Sequence, residues 1–247
     1  TARRRARRRC ASVRRREAQV NDVRVGAQLA FARLRSASAA VVLTIFALAV
    51  FAAAVLERRS DAAAAPDDVL FGIAFGIALP VLAYLVSERV CDGKRLERSV
   101  DSVARYGADR RRAVLGLLLA SALATALGGA FLVLVAVLGA HTPGAASLAF
   151  DLRSSVGIAL VSGFAYALCF GAASLLGKRG GGRTWALIAD FAFGTGASAF
   201  AALWPRSHVK NLLGGTPALD LPQASAWLAL IAIGIACLGA SFVWTTE

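Results

Sequence analysis

The chain has 247 residues and a net charge of +13 at pH 7, with 57% hydrophobic and 17% charged residues. A soluble domain averages about 45–50% apolar and about 25% charged residues. The apolar excess is also clustered in long uncharged stretches. The composition therefore excludes a soluble enzyme, a secreted disulfide scaffold and a free domain that binds nucleic acid.

Six stretches are each long enough to cross a bilayer as a helix, which takes about 20 apolar residues. Five of them contain no charged residue, and the sixth contains only Asp190. Their approximate bounds are 36–56, 69–87, 113–140, 154–176, 184–204 and 221–246. We therefore predict an all-α polytopic membrane protein, with six transmembrane helices in one domain over 20–247.

The distribution of basic residues predicts how these helices are oriented. With six crossings, 23 of the 28 Lys and Arg residues fall on one side of the membrane, in 1–35, 88–112 and 177–183. Cytoplasmic segments of membrane proteins carry the Lys and Arg excess. Both termini are therefore predicted to be cytoplasmic, with the protein in the inner (plasma) membrane.

The first 36 residues divide into two parts. Residues 1–19 are rich in Arg and are predicted to form a disordered tail; the alternative is a polybasic segment held to anionic lipid. Over 20–36, apolar residues recur every three or four positions. This pattern predicts an amphipathic helix that lies in the inner membrane interface. The alternative is a straight extension of the first span.

The connection between the second and third spans carries a further helical pattern. Asp92 is predicted to begin a helix over 92–106, with Leu96, Val100 and Val103 on its apolar face. Such a helix could dock on a soluble partner. The alternative is a solvated connecting helix that lies on the membrane.

Polar residues near or within the spans are candidates for function. Asp190 is the one ionisable residue inside a predicted span, and intramembrane carboxylates are costly. The structural hypothesis pairs Asp190 with Arg183, and the alternative is a role in transport. Asp151 and Arg153 stand at the outer start of the fourth span, as a local ion pair or as a pair that gates substrate.

Other residues predict packing and helix ends. Gly72 and Gly76 in the second span have the spacing that lets two helix backbones approach closely. Pro80 in the same span predicts a kink. Asp109 is predicted to cap the start of the third span.

No set of residues suited to catalysis, metal binding or cofactor binding is visible. The two histidines fall in predicted outer loops, and the four cysteines lack metal-ligand spacing. The segment 171–178 superficially looks like a phosphate-binding loop, but its glycine spacing is wrong and Arg179 replaces the Ser or Thr. We therefore predict that the chain is not an enzyme and holds no cofactor.

Taken together, these features resemble the membrane subunit of ABC-2 type ABC transporters. The resemblance includes the amphipathic helix, the six spans, the helix at 92–106 and an apolar outer segment over 204–222. Two stretches are also similar in amino-acid sequence, namely Arg105-Tyr-Gly-Ala-Asp-Arg-Arg-Arg112 and Trp204-Pro-Arg-Ser-His-Val-Lys-Asn-Leu-Leu-Gly-Gly215. The resemblance extends from about residue 20 to the end of the chain.

The resemblance implies a permease without an ATPase of its own. It would work as a homo- or heterodimer of permease subunits in membrane lipid, with ATP bound by a separate ABC ATPase subunit. The coupling helix that contacts this ATPase would carry Leu96, Val100, Val103 and Arg105. The substrate would be amphipathic or lipid-like and more often exported. The alternatives are an ion-coupled secondary transporter that uses Asp190, and a membrane scaffold that transports nothing.

Overall fold

The computed structural model describes residues 21–60, 64–142, 147–196 and 198–245. This part of the chain is helical and contains no strand. The predicted Arg-rich tail over 1–19 lies outside the described residues.

The helices follow one another with short connections. In chain order they are α1 (21–34), α2 (Ala37–Ser60), α3 (Ala65–Cys91), α4 (Leu96–Ser99), α5 (Asp101–Ala104), α6 (Arg110–Ala140), α7 (Leu148–Ala173), α8 (Gly182–Phe193), α9 (Pro205–Leu212) and α10 (Gln223–Trp244). Within the described ranges, five helices are long and apolar enough to cross a membrane, namely α2, α3, α6, α7 and α10. This is the architecture of a multi-pass membrane protein.

The fifth predicted span, 184–204, is not one continuous helix. Helix α8 has 12 residues, a length of about 18 Å, and ends at Phe193. Turns follow around Gly194 and Gly196, and α9 begins only at Pro205. The flexible glycines end α8 early, and the proline, which fits only the first turn of a helix, begins α9 just after the predicted span.

Helices α3, α6 and α7 form the centre of the bundle, and α2 and α10 lie at its periphery. In an apolar stretch of 18 residues within each central helix, 56% of the residues are buried. The corresponding share is 11% in α2 and 22% in α10. Leu79, Leu132, Tyr166, Phe170 and Leu230 are among the side chains buried in the core. The exposed apolar faces of α2 and α10 are suited to lipid.

Three segments meet at one end of the bundle. Arg33 of α1 donates hydrogen bonds to the carbonyl oxygens of Val90 and Ser99, at 2.5 and 2.8 Å. The Leu96 N–H donates to the Ser174 carbonyl at 3.3 Å. We call this the basic end, because 14 of the 19 described Lys and Arg residues lie in 21–35, 88–112 and 174–183.

The two long helices α7 and α10 both end at the basic end. Helix α7 ends beside Ser174, and the Arg111 guanidinium at the start of α6 lies 5.7 Å from the Phe242 ring of α10. At its start α10 packs against α7 near Gly157. The segment between them, 174–222, therefore runs from the basic end to the opposite end of the bundle.

Helix α1 crosses the start of α6 at very short distance. A Cβ at Gly116 would overlap the Val23 carbonyl oxygen, and a Cβ at Gly26 would overlap the Ala113 carbonyl oxygen. Ala30, on the apolar face of α1, is fully buried, whereas Phe31 is 47% exposed. The small residues of that face thus contact protein. The sequence pattern instead predicts that this face lies against the lipid acyl chains.

The second predicted span, α3, is wound unusually. Residues Val69–Ala78 are π-helical, and the Leu79 N–H donates to the Ala74 carbonyl, five residues earlier. Pro80 follows directly and has no N–H to donate. The predicted irregularity at Pro80 therefore takes the form of a π-helical stretch before it.

Candidate functional site

The interrupted segment over 182–212 brings two charged side chains next to a tyrosine in the core of the bundle. Asp190 lies on the last turns of α8, Arg206 on the first turn of α9, and Tyr166 on the neighbouring helix α7. Asp190 and Tyr166 have no solvent-exposed surface. We refer to these three residues as the buried triad.

The Asp190 carboxylate accepts two hydrogen bonds and lies near one cation. The Tyr166 hydroxyl donates to Oδ2 at 3.2 Å, and the Arg206 backbone N–H donates to Oδ1 at 3.3 Å. The Arg206 Nη1 atom lies 4.0 Å from Oδ2. Asp190 therefore caps the N-terminus of α9, where negative charge is favoured, and also balances the charge of the first-turn arginine.

The Arg206 guanidinium is held mainly by its packing. It stacks over the Phe191 ring at 4.4 Å, a favourable cation–π distance. Its Nη1 is buried and has no hydrogen-bond partner among the described residues. A Cβ at Gly76 of α3 would lie 3.8 Å from Nη2, so the guanidinium packs beside this glycine.

The expected pairing of Asp190 with Arg183 is wrong. Arg183 is 1% exposed and pairs instead with Glu88, with Nε and Oε2 2.5 Å apart. It also donates to the carbonyl oxygens of Ser87 and Lys94 at 3.4 Å. Arg183 therefore ties the start of α8 to the end of α3 and to the connection that follows it.

The predicted helix over 92–106 consists of two separate helical turns, α4 and α5. Asp92 does not begin it, because Asp92 has a left-handed backbone (φ 55°) and ends α3. Leu96 and Val100 are fully buried against α6 and its neighbours, and Val103 is partly buried in the same cluster. The apolar face predicted for docking thus faces the protein itself.

The opposite face of α4 and α5 is exposed at the basic end. It presents polar and aromatic side chains, with Tyr106 93% exposed. Its residues are Arg98, Ser102, Arg105 and Tyr106, which we call the elbow face. Beside it lies a surface cavity of about 460 Å³ that Lys94 and Asp101 also line. Asp101 pairs with Arg110 at 2.8 Å.

The remaining predicted residues have mixed outcomes. A Cβ at Gly72 would have no atom within 4 Å, so this residue makes no close helix contact, whereas Gly76 lies beside Arg206. Asp151 and Arg153 lie on the first turns of α7 and form no ion pair with each other. Asp109 accepts a hydrogen bond from the Arg112 N–H at 3.0 Å, which confirms the predicted cap.

Sequence reasoning missed the residues that matter most around Asp190. Arg206 and Lys210 were counted among outer-loop residues, although Arg206 lies in the core. Tyr166 gave no signal, since an isolated Tyr in an apolar span is common.

The fold and the buried triad define a helical multi-pass membrane protein with a charged pair in its core. Among the described residues, no group of three or more His, Cys, Asp or Glu side chains could hold a metal ion. Comparison of the chain with protein-family models, with curated proteins and with solved structures gives no match. The resemblance to ABC-2 permeases therefore stays a prediction.

Proposed function

We propose that the chain is the transmembrane subunit of an ABC-2 type ABC transporter. In this proposal it crosses the plasma membrane six times, with the basic end and both termini in the cytoplasm. The fifth crossing in chain order is the segment 174–222, built from α8, α9 and the turns between them. The chain works as a dimer of permease subunits, and a separate ATPase subunit binds and hydrolyses ATP.

The observation that carries the proposal is the elbow face at the basic end. A solvent-exposed Tyr106 that directly follows Arg105 is typical of protein contact surfaces, which are enriched in Tyr and Arg. Arg98 and Arg105 add positive charge that would favour an acidic cleft on the ATPase. The buried residues Leu96 and Val100 anchor this face from below, so the coupling contact falls on the elbow face instead.

The elbow face is also mechanically connected to the crossing that is interrupted. Arg183 belongs to the first turn of α8. It contacts the Lys94 carbonyl in the connection 92–109 and Glu88 at the end of α3. Helix α8 leads within two turns to Asp190. Movement of the connection 92–109 by an ATPase would therefore be passed to α8 and to the buried triad. It would open a path for an amphipathic or lipid-like substrate.

A photo-crosslinking experiment tests this proposal. Tyr106 is replaced by a photoreactive phenylalanine analogue in the native host, and the adducts are identified by mass spectrometry. We expect an adduct with a protein that contains a complete phosphate-binding loop. The control is the same replacement at Phe150, which is 72% exposed at the opposite end and should give no such adduct.

The co-purified complex supplies the second measurement. Its vanadate-sensitive ATP hydrolysis should fall at least tenfold in an Arg105→Glu, Tyr106→Ala variant, while the permease itself remains folded. Adducts of Tyr106 with lipid or with proteins that bind no nucleotide would refute the proposal.

An ion-coupled secondary transporter is the second candidate, and the burial of Asp190 favours it. Interrupted helices with a buried ionisable residue are found at the binding sites of such transporters. Against it, Asp190 is already engaged by Tyr166 and Arg206. This candidate predicts that Asp190→Asn abolishes transport and that depletion of ATP, with the ion gradient maintained, does not.

A further inference from the structure

A cavity of about 80 Å³ lies between α3 and α9, next to the buried triad. The charged residues that line it are Arg206 and Lys210, both cationic, and Phe71 and Phe75 form its α3 wall. Thr195 and Phe71 are exposed, so the cavity opens at the side of the bundle. A volume of this size holds several water molecules or one small polyatomic group.

The cavity lies beside the outer part of the membrane-crossing stretch of α3. Phe71 and Gly76 follow Val69, where the predicted span begins, by two and seven residues. At about 1.5 Å per residue they lie roughly 3 and 10 Å inside that stretch. Cations at this depth are costly and are normally paired or in contact with water or ligand.

The charges around the cavity do not balance. Arg206 lies near the Asp190 carboxylate, but the ion pairs of the described residues include none for Lys210. The Lys210 Nζ has the Thr195 carbonyl oxygen at 3.4 Å and the Phe71 ring at 5.8 Å. Arg206 and Lys210 stand four residues apart on one helix, where like charges repel.

We propose that this cavity binds the phosphate group of an anionic amphiphile. Lys210 Nζ and the Arg206 guanidinium donate to the phosphate oxygens, which supply the missing negative charge. The apolar part of the ligand leaves through the lateral opening and lies along Phe71 and Leu213. The inference rests on the proposed function, because it names the class of substrate, but binding itself needs no ATPase.

Lys210 is the residue to vary, since it is half-buried and supports no ion pair in the described part of the fold. Purified full-length protein in neutral detergent is titrated with radiolabelled dioleoyl phosphatidic acid. We expect saturable binding that Lys210→Gln weakens about ten- to a hundredfold and Lys210→Arg largely retains, because one charge-assisted hydrogen bond is lost. Lys178→Gln removes the same charge on an exposed turn and should bind like the wild type.

Two further arms identify the source of the phosphate. Dioleoylglycerol has the same chains without phosphate and should not compete, and inorganic phosphate should compete only weakly. Equal affinity of Lys210→Gln and Lys178→Gln, equal binding of dioleoylglycerol, or tight binding of inorganic phosphate alone would overturn the inference. These results leave the Tyr106 adduct with an ATPase unaffected, so failure of the site and failure of the proposed function are distinguishable.

Discussion

Replacement of Asp190 by Ala tests whether the buried triad holds the two short helices together. The substitution removes the acceptor of the Tyr166 hydroxyl and of the Arg206 N–H, and it leaves the Arg206 guanidinium, 16% exposed, without its counter-ion. Removal of one partner of a buried ion pair costs about 3–5 kcal/mol. Loss of the helix cap, about 1 kcal/mol, overlaps with this cost because both depend on one carboxylate.

The assay is thermal unfolding of the purified protein in detergent, followed by tryptophan fluorescence. For a chain of this size, about 4 kcal/mol lowers the Tm by roughly 10 °C. Asp190→Leu combined with Arg206→Met removes both charges and should return the Tm close to that of the wild type. Asp151→Ala, on the first turn of α7, is the control and should shift the Tm by no more than about 2 °C.

Two results would refute this reasoning. In the first, Asp190→Ala unfolds at the temperature of the wild type, so the carboxylate does not stabilise the fold. In the second, the double variant is as unstable as the single one, so the loss arises from the missing hydrogen bonds of the carboxylate rather than from the unpaired charge.

Three further predictions concern packing at the basic end. Gly116→Val should prevent α1 from docking and give aggregated protein on gel filtration, whereas Gly239→Val, with no atom within 4 Å, should elute normally. Leu96→Ala should cost about 2–5 kcal/mol of stability in urea unfolding, while Tyr106→Ala should change it by less than about 0.5 kcal/mol. Arg183→Gln, which leaves the Glu88 carboxylate unpaired, should speed tryptic cleavage of the connection 92–109; an unchanged cleavage rate would contradict its bracing role.

The amino-acid sequence alone determined the helical membrane class, the positions of α2, α3, α6, α7 and α10, and the cap at Asp109. These features depend on local properties. The cost of apolar residues in water adds up along a stretch, and a cap involves residues only three positions apart. They can therefore be recognised without knowledge of what packs against them.

Only the tertiary structure decided which face of α4 and α5 is exposed, how deeply Arg206 is buried and which cation pairs with Asp190. Leu96 and Val100 have the same helical spacing whether they face a partner or α6. Arg183 lies within two helical turns of Asp190 in the sequence. However, Arg183 pairs with Glu88, which lies 95 positions before it in the chain. Such choices depend on the free energy of contacts between distant segments, which no local pattern records.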